Sequence, residues 1–194
     1  FDELLNNKSA LGILIDYSKS SNKKLVKTIK NKIDYNFDKA KINIGLIGAG
    51  NYATRILVPC FKNHATQFHT VCSQGGISGS SVAKKYAFTK ATTDSNEIFK
   101  NEEIDTVVIA TRHNSHANYV CEAIKNDKHV FVEKPLAINI NELKDIQKAY
   151  KKSNKNQLMV GFNRRFSPLI SYTKPFLDNL SEPKTFIATI NAGK

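Results

Sequence analysis

Short apolar segments alternate with amphipathic segments from Lys41 onward, and this alternation predicts the fold. Residues 42–47 and 106–110 are apolar almost throughout, as strands are when both faces of a sheet are covered. Residues 115–125 repeat apolar side chains at helical spacing, namely Ala117, Val120, Cys121 and Ile124. Strands that alternate with helices at such short intervals predict βαβ units. We therefore expect an α/β fold with a doubly wound parallel sheet.

The remaining elements of this region follow the same two patterns. We predict further strands at residues 68–72, 129–132 and 158–160. We predict further helices at residues 52–62, 80–86, 95–100 and 141–152, the last with Asn141 as its N-cap. These elements extend the alternation of strands and helices as far as residue 160.

The two ends of the chain depart from this alternation. Residues 11–17 predict a short strand and residues 23–32 a short basic helix, which together are too small to form a domain. At the other end, residues 168–180 predict a helix broken at Pro175, and residues 184–190 predict a strand. The chain opens with neither an initiator Met nor an apolar leader, so we expect it to be a piece of a longer protein.

Composition narrows the classes of function. The 194 residues include 29 Lys and Arg against 17 Asp and Glu, and the net charge of +12 is typical of proteins that bind nucleic acids. Only 4 of these cations are Arg, the residue that reads base edges, and the Lys residues are spread along the whole chain. We therefore expect no nucleic-acid partner. No run of 18 apolar residues occurs, so we also expect no membrane span.

The cysteines indicate a reducing compartment. Cys60, Cys72 and Cys121 are an odd number without a C-x-x-C pair, and no Cys/His spacing indicates a zinc site. Cys60 and Cys72 have apolar neighbours in the sequence. We therefore expect buried, reduced thiols, no bound metal and a cytoplasmic location.

The most informative motif follows the strand predicted at residues 42–47. Gly48, Gly50 and Ala53 match the pattern G-x-G-x-x-G/A and open a predicted helix. In this pattern the first glycine permits a tight turn, the second lets the backbone approach a pyrophosphate, and the third residue allows close helix–strand contact. Free N–H groups at the helix N-terminus can bind phosphate oxygens. The motif predicts a dinucleotide site, and the alternative is a tight turn that binds no phosphate.

The acidic residue that usually binds the ribose 2′-hydroxyl is missing. It is expected about 20 residues after the glycines, but Ser73 follows the second strand, and no Asp or Glu occurs from residue 39 to residue 93. The next predicted helix carries Lys84 and Lys85. A 2′-phosphate would meet no carboxylate and could find cations, so the sequence favours NADP over NAD. The alternative is NAD bound with Ser73 as a weaker partner.

A polar cluster follows the strand predicted at residues 106–110. Its members Thr111, Asn114 and His116 can donate or accept hydrogen bonds. Ligands of open α/β sheets bind at the carboxyl ends of strands, so this cluster is expected to contact the cofactor. For His116, which opens a helix, an equally good interpretation is a capping or packing role.

A second cluster, Glu133-Lys134-Pro135, follows the strand predicted at residues 129–132. Lys134 is the best candidate for chemistry, because a Lys beside a nicotinamide can hydrogen-bond a substrate hydroxyl and polarise it as hydride leaves. Pro135 fixes its own φ and helps to set the turn. Without the other motifs, these three residues would be interpreted as an exposed turn.

Four segments together resemble one enzyme family. GLIGAGNYA, VVIATRHNSHANYVCEAI, HVFVEKPLA and MVGFNRRF occur in the order and spacing of the Gfo/Idh/MocA oxidoreductases. The resemblance implies a Rossmann dinucleotide-binding domain at residues 41–168. It also implies that residues 169–194 begin a C-terminal α/β substrate domain that is largely missing. We expect residues 1–40 to be the tail of a preceding domain plus a linker. Within them, residues 1–17 resemble the last helix and strand of a zinc-type alcohol dehydrogenase domain, as in bi-domain fusions of the two families.

The resemblance also implies roles for individual residues. It implies a pyrophosphate loop at Gly48, Gly50, Asn51 and Tyr52, a ribose position at Ser73, cofactor contacts at Thr111, Asn114, His116 and Glu133, catalysis by Lys134, and a substrate cleft at Arg164 and Arg165. The family usually has Pro where this chain has Arg112. This difference bears on contacts near the adenine or the nicotinamide.

Together these implications define the expected function. The family passes a hydride between NAD or NADP and a secondary alcohol or ketone of a sugar, a cyclitol or a sugar derivative. The expected partners are therefore a sugar-like substrate and, in the parent protein, further copies in a homo-oligomer. Because a second acid/base group of the family lies in the C-terminal domain, we expect this chain alone to bind cofactor with negligible turnover. The alternative is a non-catalytic dinucleotide-binding sensor, which would have no need of Lys134.

Overall fold

A computed structural model describes residues 26–31, 33, 37–38, 40–153, 155–185, 187 and 189. Within them, seven strands form one sheet in the order β1-β4-β3-β2-β5-β6-β7. The strands are β1 (Thr28–Lys30), β2 (Ile42–Ile47), β3 (Thr66–Cys72), β4 (Lys90–Thr92), β5 (Thr106–Ile109), β6 (His129–Val132) and β7 (Leu158–Val160). All neighbouring strands are parallel except β1, which pairs antiparallel with β4 at one edge.

Helices cover both faces of the sheet. They are α1, which contains a π-helical turn at Ala53–Leu57 and continues as an α-helix at Val58–Lys62, then α2 (Ile77–Tyr86), α3 (Asn96–Phe99), α4 (His116–Lys125) and α5 (Ile140–Lys152). A further helix, α6 (Pro168–Asp178), buries none of its residues. Two 3₁₀ turns, His113–Ser115 and Asn163–Phe166, precede α4 and α6. The predicted doubly wound sheet is confirmed, with the addition of one antiparallel edge strand.

The alternation of side chains along the central strands builds a core on each face of the sheet. Leu46 in β2 packs in a cluster with residues of α1 and α2, whereas the next residue, Ile47, packs in a cluster with residues of α3, α4 and α5. In β5, Val108 belongs to the first cluster, and Val107 and Ile109 belong to the second. Burial of each such side chain stabilises the fold by about 1.5–3 kcal/mol. This explains why both central strands are apolar almost throughout.

The helix that follows the glycine motif, α1, changes locally from α-helical to π-helical geometry, and this change allows a hydrogen bond to α2. The Val58 N–H donates to the carbonyl of Ala53, five residues back. Continuing that spacing, the carbonyl of Thr54 would accept from residue 59, but Pro59 has no N–H. The hydroxyl of Tyr86, at the end of α2, donates to the Thr54 carbonyl instead. The two helices that cover this face of the sheet are therefore joined by a hydrogen bond.

The sheet edge formed by β1 and β4 differs from the sequence prediction. The predicted basic helix at residues 23–32 is wrong where the structure describes it, because Thr28–Lys30 is a strand whose Thr28 pairs with Thr92. The β-branched Thr28 and Ile29 suit a pleated strand. Strand β4 was not predicted, since Lys-Ala-Thr offers no apolar run. The strand predicted at residues 11–17 lies outside the described residues.

The start of α5 also differs from the prediction, by two residues. Its N-cap is Asn139 and not Asn141: the side-chain oxygen of Asn139 accepts from the Glu142 N–H at 3.0 Å. The Glu142 carboxylate in turn accepts from the backbone N–H of Ile138 at 2.9 Å. This reciprocal pair resembles a capping box, whose signature is an Asx or Ser/Thr three residues before a Glu.

The C-terminal predictions are partly corrected. Helix α6 is not broken, because it runs from Pro168 to Asp178 with Pro175 inside it. It begins at a cap, where the Ser167 hydroxyl oxygen accepts from the Ile170 N–H at 3.4 Å. The strand predicted at residues 184–190 lies partly outside the described residues, and its described members, 184, 185, 187 and 189, are in no strand.

The cysteine prediction is half right. Cys72 is buried as expected, but Cys60 is exposed, because it lies on the solvent side of α1. The described cysteines are all free thiols. Among the described residues, no three His, Cys, Asp or Glu side chains come together as a metal site, and no helix there has the length and hydropathy to cross a membrane.

Candidate functional site

A cleft of about 840 Å³ opens at the carboxyl edge of the sheet. It lies where β2 runs between β3 and β5, the point at which the strand order reverses and where ligands of open α/β sheets bind. Five of the predicted cofactor residues line it, namely Gly48, Gly50, Ser73, Thr111 and Asn114. The cleft is also lined by Thr93, Ser95 and Tyr119, which the sequence prediction did not include, and by Arg112, which it named only as a difference that bears on cofactor contacts.

Gly48 is fixed by its surroundings at the floor of this cleft. Its φ is +102°, and a Cβ there would lie 2.3 Å from the carbonyl oxygen of Ala110. Its N–H donates to the carbonyl of Cys72 at 2.9 Å. The turn therefore crosses between the ends of β3 and β5 at a distance that only a glycine allows.

Gly50, two residues on, is in the opposite situation. A Cβ built on it meets no atom of the described chain within 4 Å, and the residue is exposed. Nothing in the packing of the described residues requires a glycine here. The open space above its backbone is what a pyrophosphate group needs in order to approach the turn.

Ser73 ends β3, but its side chain is largely committed to the fold. The residue is 7% exposed, and its Oγ accepts from the Gly79 N–H of α2 at 3.0 Å. Its backbone N–H donates to the carbonyl of Thr92 at 3.0 Å. The hydroxyl proton alone remains for a ligand, so Ser73 is a weaker ribose partner than a carboxylate would be.

The turn after β5 is held by a short chain of hydroxyl groups. The Thr111 and Ser115 hydroxyl oxygens are 2.6 Å apart, and the Ser115 hydroxyl donates to the carbonyl of Arg112 at 2.8 Å. Arg112 has φ −72°, the value that a proline would impose, and its exposed side chain lines the cleft. Asn114 is exposed and lines the same wall.

His116 lies beneath the cleft and not on its surface. The residue is 0% exposed, and its Nδ1 donates to the carbonyl of Pro135 at 2.7 Å. Its Nε2 lies 3.2 Å from the carbonyl of Thr111. His116 therefore joins the turn after β5 to the turn after β6, and it acts on the cleft through the backbone it holds.

The turn after β6 carries Glu133 and Lys134. The Oε1 atom of Glu133 is buried and has no partner in the described part of the chain, and a Cβ on Gly161 would lie 2.7 Å from it. Lys134 is exposed, and its ammonium has no hydrogen bond or ion pair with any described residue. Both side chains thus keep hydrogen-bonding capacity that the fold itself does not use.

The glycine turn is also joined to the segment after β7. The side-chain amide of Asn163 donates to the hydroxyl of Tyr52 at 2.8 Å, across 111 residues of sequence. Arg164 and Arg165 follow Asn163 in an exposed 3₁₀ turn, and the Arg165 guanidinium lies 4.7 Å from the ring centroid of Phe166. Asn51, Tyr52 and the two arginines do not line the cleft itself.

The cleft contains no acidic side chain among the residues that line it, and Arg112 is its one cation there. Burial, together with the nearby Asp94 carboxylate, raises the pKa of the Cys72 thiol to about 11, so this thiol is neutral at physiological pH. Burial also raises the pKa of Tyr119. The site is therefore positive to neutral, which suits an anionic ligand.

The cleft residues that the sequence prediction missed carry no local signal of their role. Thr93 and Ser95 follow β4, which has no apolar run to reveal it. Tyr119 falls between the apolar positions of α4, and only the packed helix brings it to the cleft. In the sequence, Asn163 differs from its neighbours only in being polar and uncharged, within a segment that is otherwise apolar and basic.

Comparison with protein families matches residues 42–162 to the Gfo/Idh/MocA sequence model, an oxidoreductase family with an NAD-binding Rossmann fold. "Oxidoreductase P35" of Formosa agariphila is 31% identical over 141 residues, which cover 72% of this chain and 44% of that protein. An inositol 2-dehydrogenase of Acidothermus cellulolyticus is 31% identical over 136 residues, which cover 66% of this chain and 38% of that protein.

Solved structures give the same picture. Myo-inositol dehydrogenase from Lactobacillus casei, in complex with NAD(H) and myo-inositol, aligns with a TM-score of 0.67 and 25% identity. The alignment covers 71% of this chain and 41% of that one. The chain thus spans less than half the length of the curated relatives it matches.

Proposed function

The chain belongs to the Gfo/Idh/MocA oxidoreductase family, and from this premise we propose that it binds the cofactor of an NAD(P)-dependent oxidoreductase. The reaction interconverts a secondary alcohol and a ketone of a sugar, a cyclitol or a sugar derivative. Relatives that are named inositol dehydrogenases support this substrate class. Residues 41–168 form the cofactor domain in this proposal.

The observation that carries the proposal is the pair of glycines at the switch point. Gly48 closes the turn against Ala110, and Gly50 leaves an open backbone face above it. This combination fits a dinucleotide, because it provides a rigid turn with room for a pyrophosphate beside the N-terminus of α1. A tight turn without a phosphate ligand would have no need of the second glycine.

Lys134 is the catalytic residue of this proposal. A bound nicotinamide supplies the hydride acceptor for alcohol oxidation and the hydride donor for ketone reduction. In ketone reduction the Lys134 ammonium, free of partners in the described chain, would hydrogen-bond the substrate oxygen, stabilise the negative charge that develops there as hydride adds to the carbonyl carbon, and donate its proton to that oxygen. Alcohol oxidation would be the reverse, with the hydroxyl proton passing to the Lys134 amine as hydride leaves the carbinol carbon. His116 holds the neighbouring Pro135 carbonyl and so positions the turn that carries Lys134.

The charge of the cleft favours NADP over NAD in this proposal. No carboxylate lines the cleft to bind a ribose 2′-hydroxyl, and Ser73 already accepts a hydrogen bond from Gly79. A carboxylate in that position would repel a 2′-phosphate, and its absence removes the repulsion. We expect NADP⁺ to bind this chain more tightly than NAD⁺ does.

The test combines binding with turnover. Isothermal titration of the 194-residue chain with NADP⁺ and NAD⁺ should give saturable binding of both, with NADP⁺ the tighter. In the natural protein that carries this chain, Lys134→Ala should lower kcat by about 100-fold or more and leave the dinucleotide Kd unchanged. The control Lys144→Ala, on the exposed side of α5, should change neither quantity. Absence of dinucleotide binding, or full turnover in Lys134→Ala, would contradict the proposal.

A further inference from the structure

A second groove continues from the cleft towards the β1 edge of the sheet. It has a volume of about 530 Å³ and lies between β1, the loop before α2, and α2 itself. Gly75 and Thr93 line both this groove and the cleft, so the two spaces meet at these residues. We call this space the β1 groove. Its position places it beside the end of β3, where the ribose of a dinucleotide lies.

Strand pairing brings Lys27 into the β1 groove. The carbonyl of Lys27 accepts from the Thr93 N–H at 3.0 Å, and the carbonyl of Thr92 accepts from the Ser73 N–H at 3.0 Å. Lys27 and Ser73 therefore lie on either side of the end of β4, and two strand spacings of about 4.8 Å each separate them. A segment that begins before the glycine motif thus supplies a cation to the cofactor edge.

The groove has the chemistry of a phosphate site. Its lining residues include Lys27 and Lys84, together with Ser80 and Ser81, beside apolar residues such as Ile29 and Ile77, and they include no Asp or Glu. The side chain of Lys27 is 72% exposed. Ammonium and hydroxyl groups are donors that phosphate oxygens accept from, so the lining favours a phosphate monoester over a hydroxyl.

One acidic side chain competes for Lys27. The Asp94 carboxylate lies 3.9 Å from its ammonium, a long and exposed ion pair. Hydrogen bonds from the backbone and side-chain N–H groups of Asn96, at 3.0 and 3.1 Å, already hold that carboxylate. Asp94 therefore keeps these partners when Lys27 turns away, and a phosphate with more than one negative charge is the stronger attraction.

We infer that the β1 groove receives the 2′-phosphate of NADP and that Lys27 is the residue that determines this specificity, with Lys84 as a second cation. This inference rests on the proposed function, since it deepens the assignment of a dinucleotide site. It places the specificity element at the residue directly before an antiparallel edge strand. The loop after β3, which is Ser73-Gln74-Gly75-Gly76, then provides space but no charge.

The test measures three ligands on four forms of the full chain by isothermal titration. The ligands are NADP⁺, NAD⁺ and adenosine 2′,5′-bisphosphate, and the forms are the natural chain, Lys27→Met, Lys84→Met and Lys30→Met. Lys30 is the matched control, because it is an exposed Lys at the far end of β1 that lines a separate cavity beside His69. Thermal unfolding of each form verifies that the fold is intact.

Lys27→Met should weaken NADP⁺ and the bisphosphate by about tenfold, because one charge-assisted contact is lost. The affinity for NAD⁺ should stay unchanged in the same variant. Lys84→Met should give a smaller loss in the same two ligands, and Lys30→Met should change none of the three. An equal loss for NADP⁺ and NAD⁺ in Lys27→Met, or no loss at all, would overturn the inference and leave the proposed function standing.

Failure of the proposed function gives a different pattern. If the natural chain binds neither dinucleotide, the proposed function fails. If the bisphosphate still binds in that case and its binding depends on Lys27, the groove remains a phosphate site. If the bisphosphate does not bind either, the inference is overturned as well. A natural chain that prefers NAD⁺ to NADP⁺ would also overturn the inference.

Discussion

The two edges of the sheet use their lysines in opposite ways. At the amino edge, Lys128 is 7% exposed, and its ammonium donates to the carbonyls of Asn101 and Ile104, both at 2.7 Å. At the carboxyl edge, Lys134 is exposed and its ammonium has no partner among the described residues. The two lysines flank the same strand, β6, with five residues between them in sequence. One holds the loops before β5 in place, and the other is left for a ligand.

This difference shows that a structural polar group is distinguished from a functional one less by its position than by whether the fold satisfies its hydrogen bonds. His116 illustrates the point, because it lies at the carboxyl edge with both ring nitrogens facing backbone carbonyls. It resembles Lys128 in its burial and its partners, and we assign it a positioning role. Glu133, with one buried oxygen lacking a partner, resembles Lys134 instead.

The largest loss of stability is expected for a substitution at Gly48, at the carboxyl edge. Gly48→Ala should lower the free energy of unfolding by about 3 kcal/mol or more, because a Cβ would collide with the Ala110 carbonyl and φ is positive. Urea unfolding followed by circular dichroism measures the loss. Dinucleotide binding, measured by titration, should be lost with the turn.

Gly50→Ala is the matched control, and it separates fold from ligand at the same turn. Its Cβ would meet no atom of the described chain within 4 Å. The free energy of unfolding should stay the same or rise by about 0.4–1 kcal/mol. The dinucleotide Kd should nevertheless rise by at least about tenfold, since the Cβ occupies the space that a pyrophosphate needs. Unchanged affinity in this variant would contradict the placement of the pyrophosphate.

The next largest effect concerns the amino edge. Lys128→Met keeps the aliphatic stem and removes the donor, so the carbonyls of Asn101 and Ile104 lose a charged partner. The free energy of unfolding should fall by about 2–3 kcal/mol. The dinucleotide Kd should stay within about twofold, because the two edges lie far apart and act independently. Burial lowers the pKa of Lys128, in keeping with its enclosed position.

Lys134→Met provides the comparison that this prediction needs. It should leave urea unfolding unchanged, because the Lys134 ammonium holds no described residue. A stability loss in Lys134→Met equal to that in Lys128→Met would erase the distinction between the two edges. So would a weakened dinucleotide affinity in Lys128→Met alone.

Most of the fold could be predicted from sequence, because its strands and helices carry local patterns. The runs at residues 42–47 and 106–109 are apolar since both faces are buried, and that pattern needs no knowledge of partners. Strand β4 and strand β1 carry no such run. They form because each completes the hydrogen bonds of a neighbour, Thr92 with Thr28 for example, and that pairing spans 64 residues.

The site was predictable to a similar degree, and for a similar reason. The glycine turn has a local signature, since the spacing of Gly48, Gly50 and Ala53 follows directly after the apolar run of β2. Lys134 could be singled out because it follows the strand predicted at residues 129–132, whereas nothing local in the sequence marks Lys128 as buried. The acceptors that bury Lys128 lie 24 and 27 residues away in sequence, so its role emerges only when β5 and β6 pair.

The smallest expected effect is the pH dependence that His69, a second buried group near the amino edge, gives to the free energy of unfolding. Burial lowers its pKa below the usual 6.5, against an opposing hydrogen bond with Glu103, whose Oε2 accepts from Nε2 at 2.9 Å. A folded state with a lowered pKa binds the proton less readily than the unfolded chain does. The stabilising contribution is therefore complete above pH 6.5 and is lost as pH falls from there towards the folded pKa.

We expect the free energy of unfolding, measured in urea from pH 8 to pH 5, to fall on the acid side of this range. His69→Gln should reduce that fall, whereas His64→Gln, at an exposed position in the loop before β3, should retain it. The dinucleotide Kd should not follow the His69 titration, because His69 is paired within the fold and lies away from the cleft. An affinity that changes with pH in the natural chain but not in His69→Gln would place a functional group at the amino edge, and would break the division between the two edges.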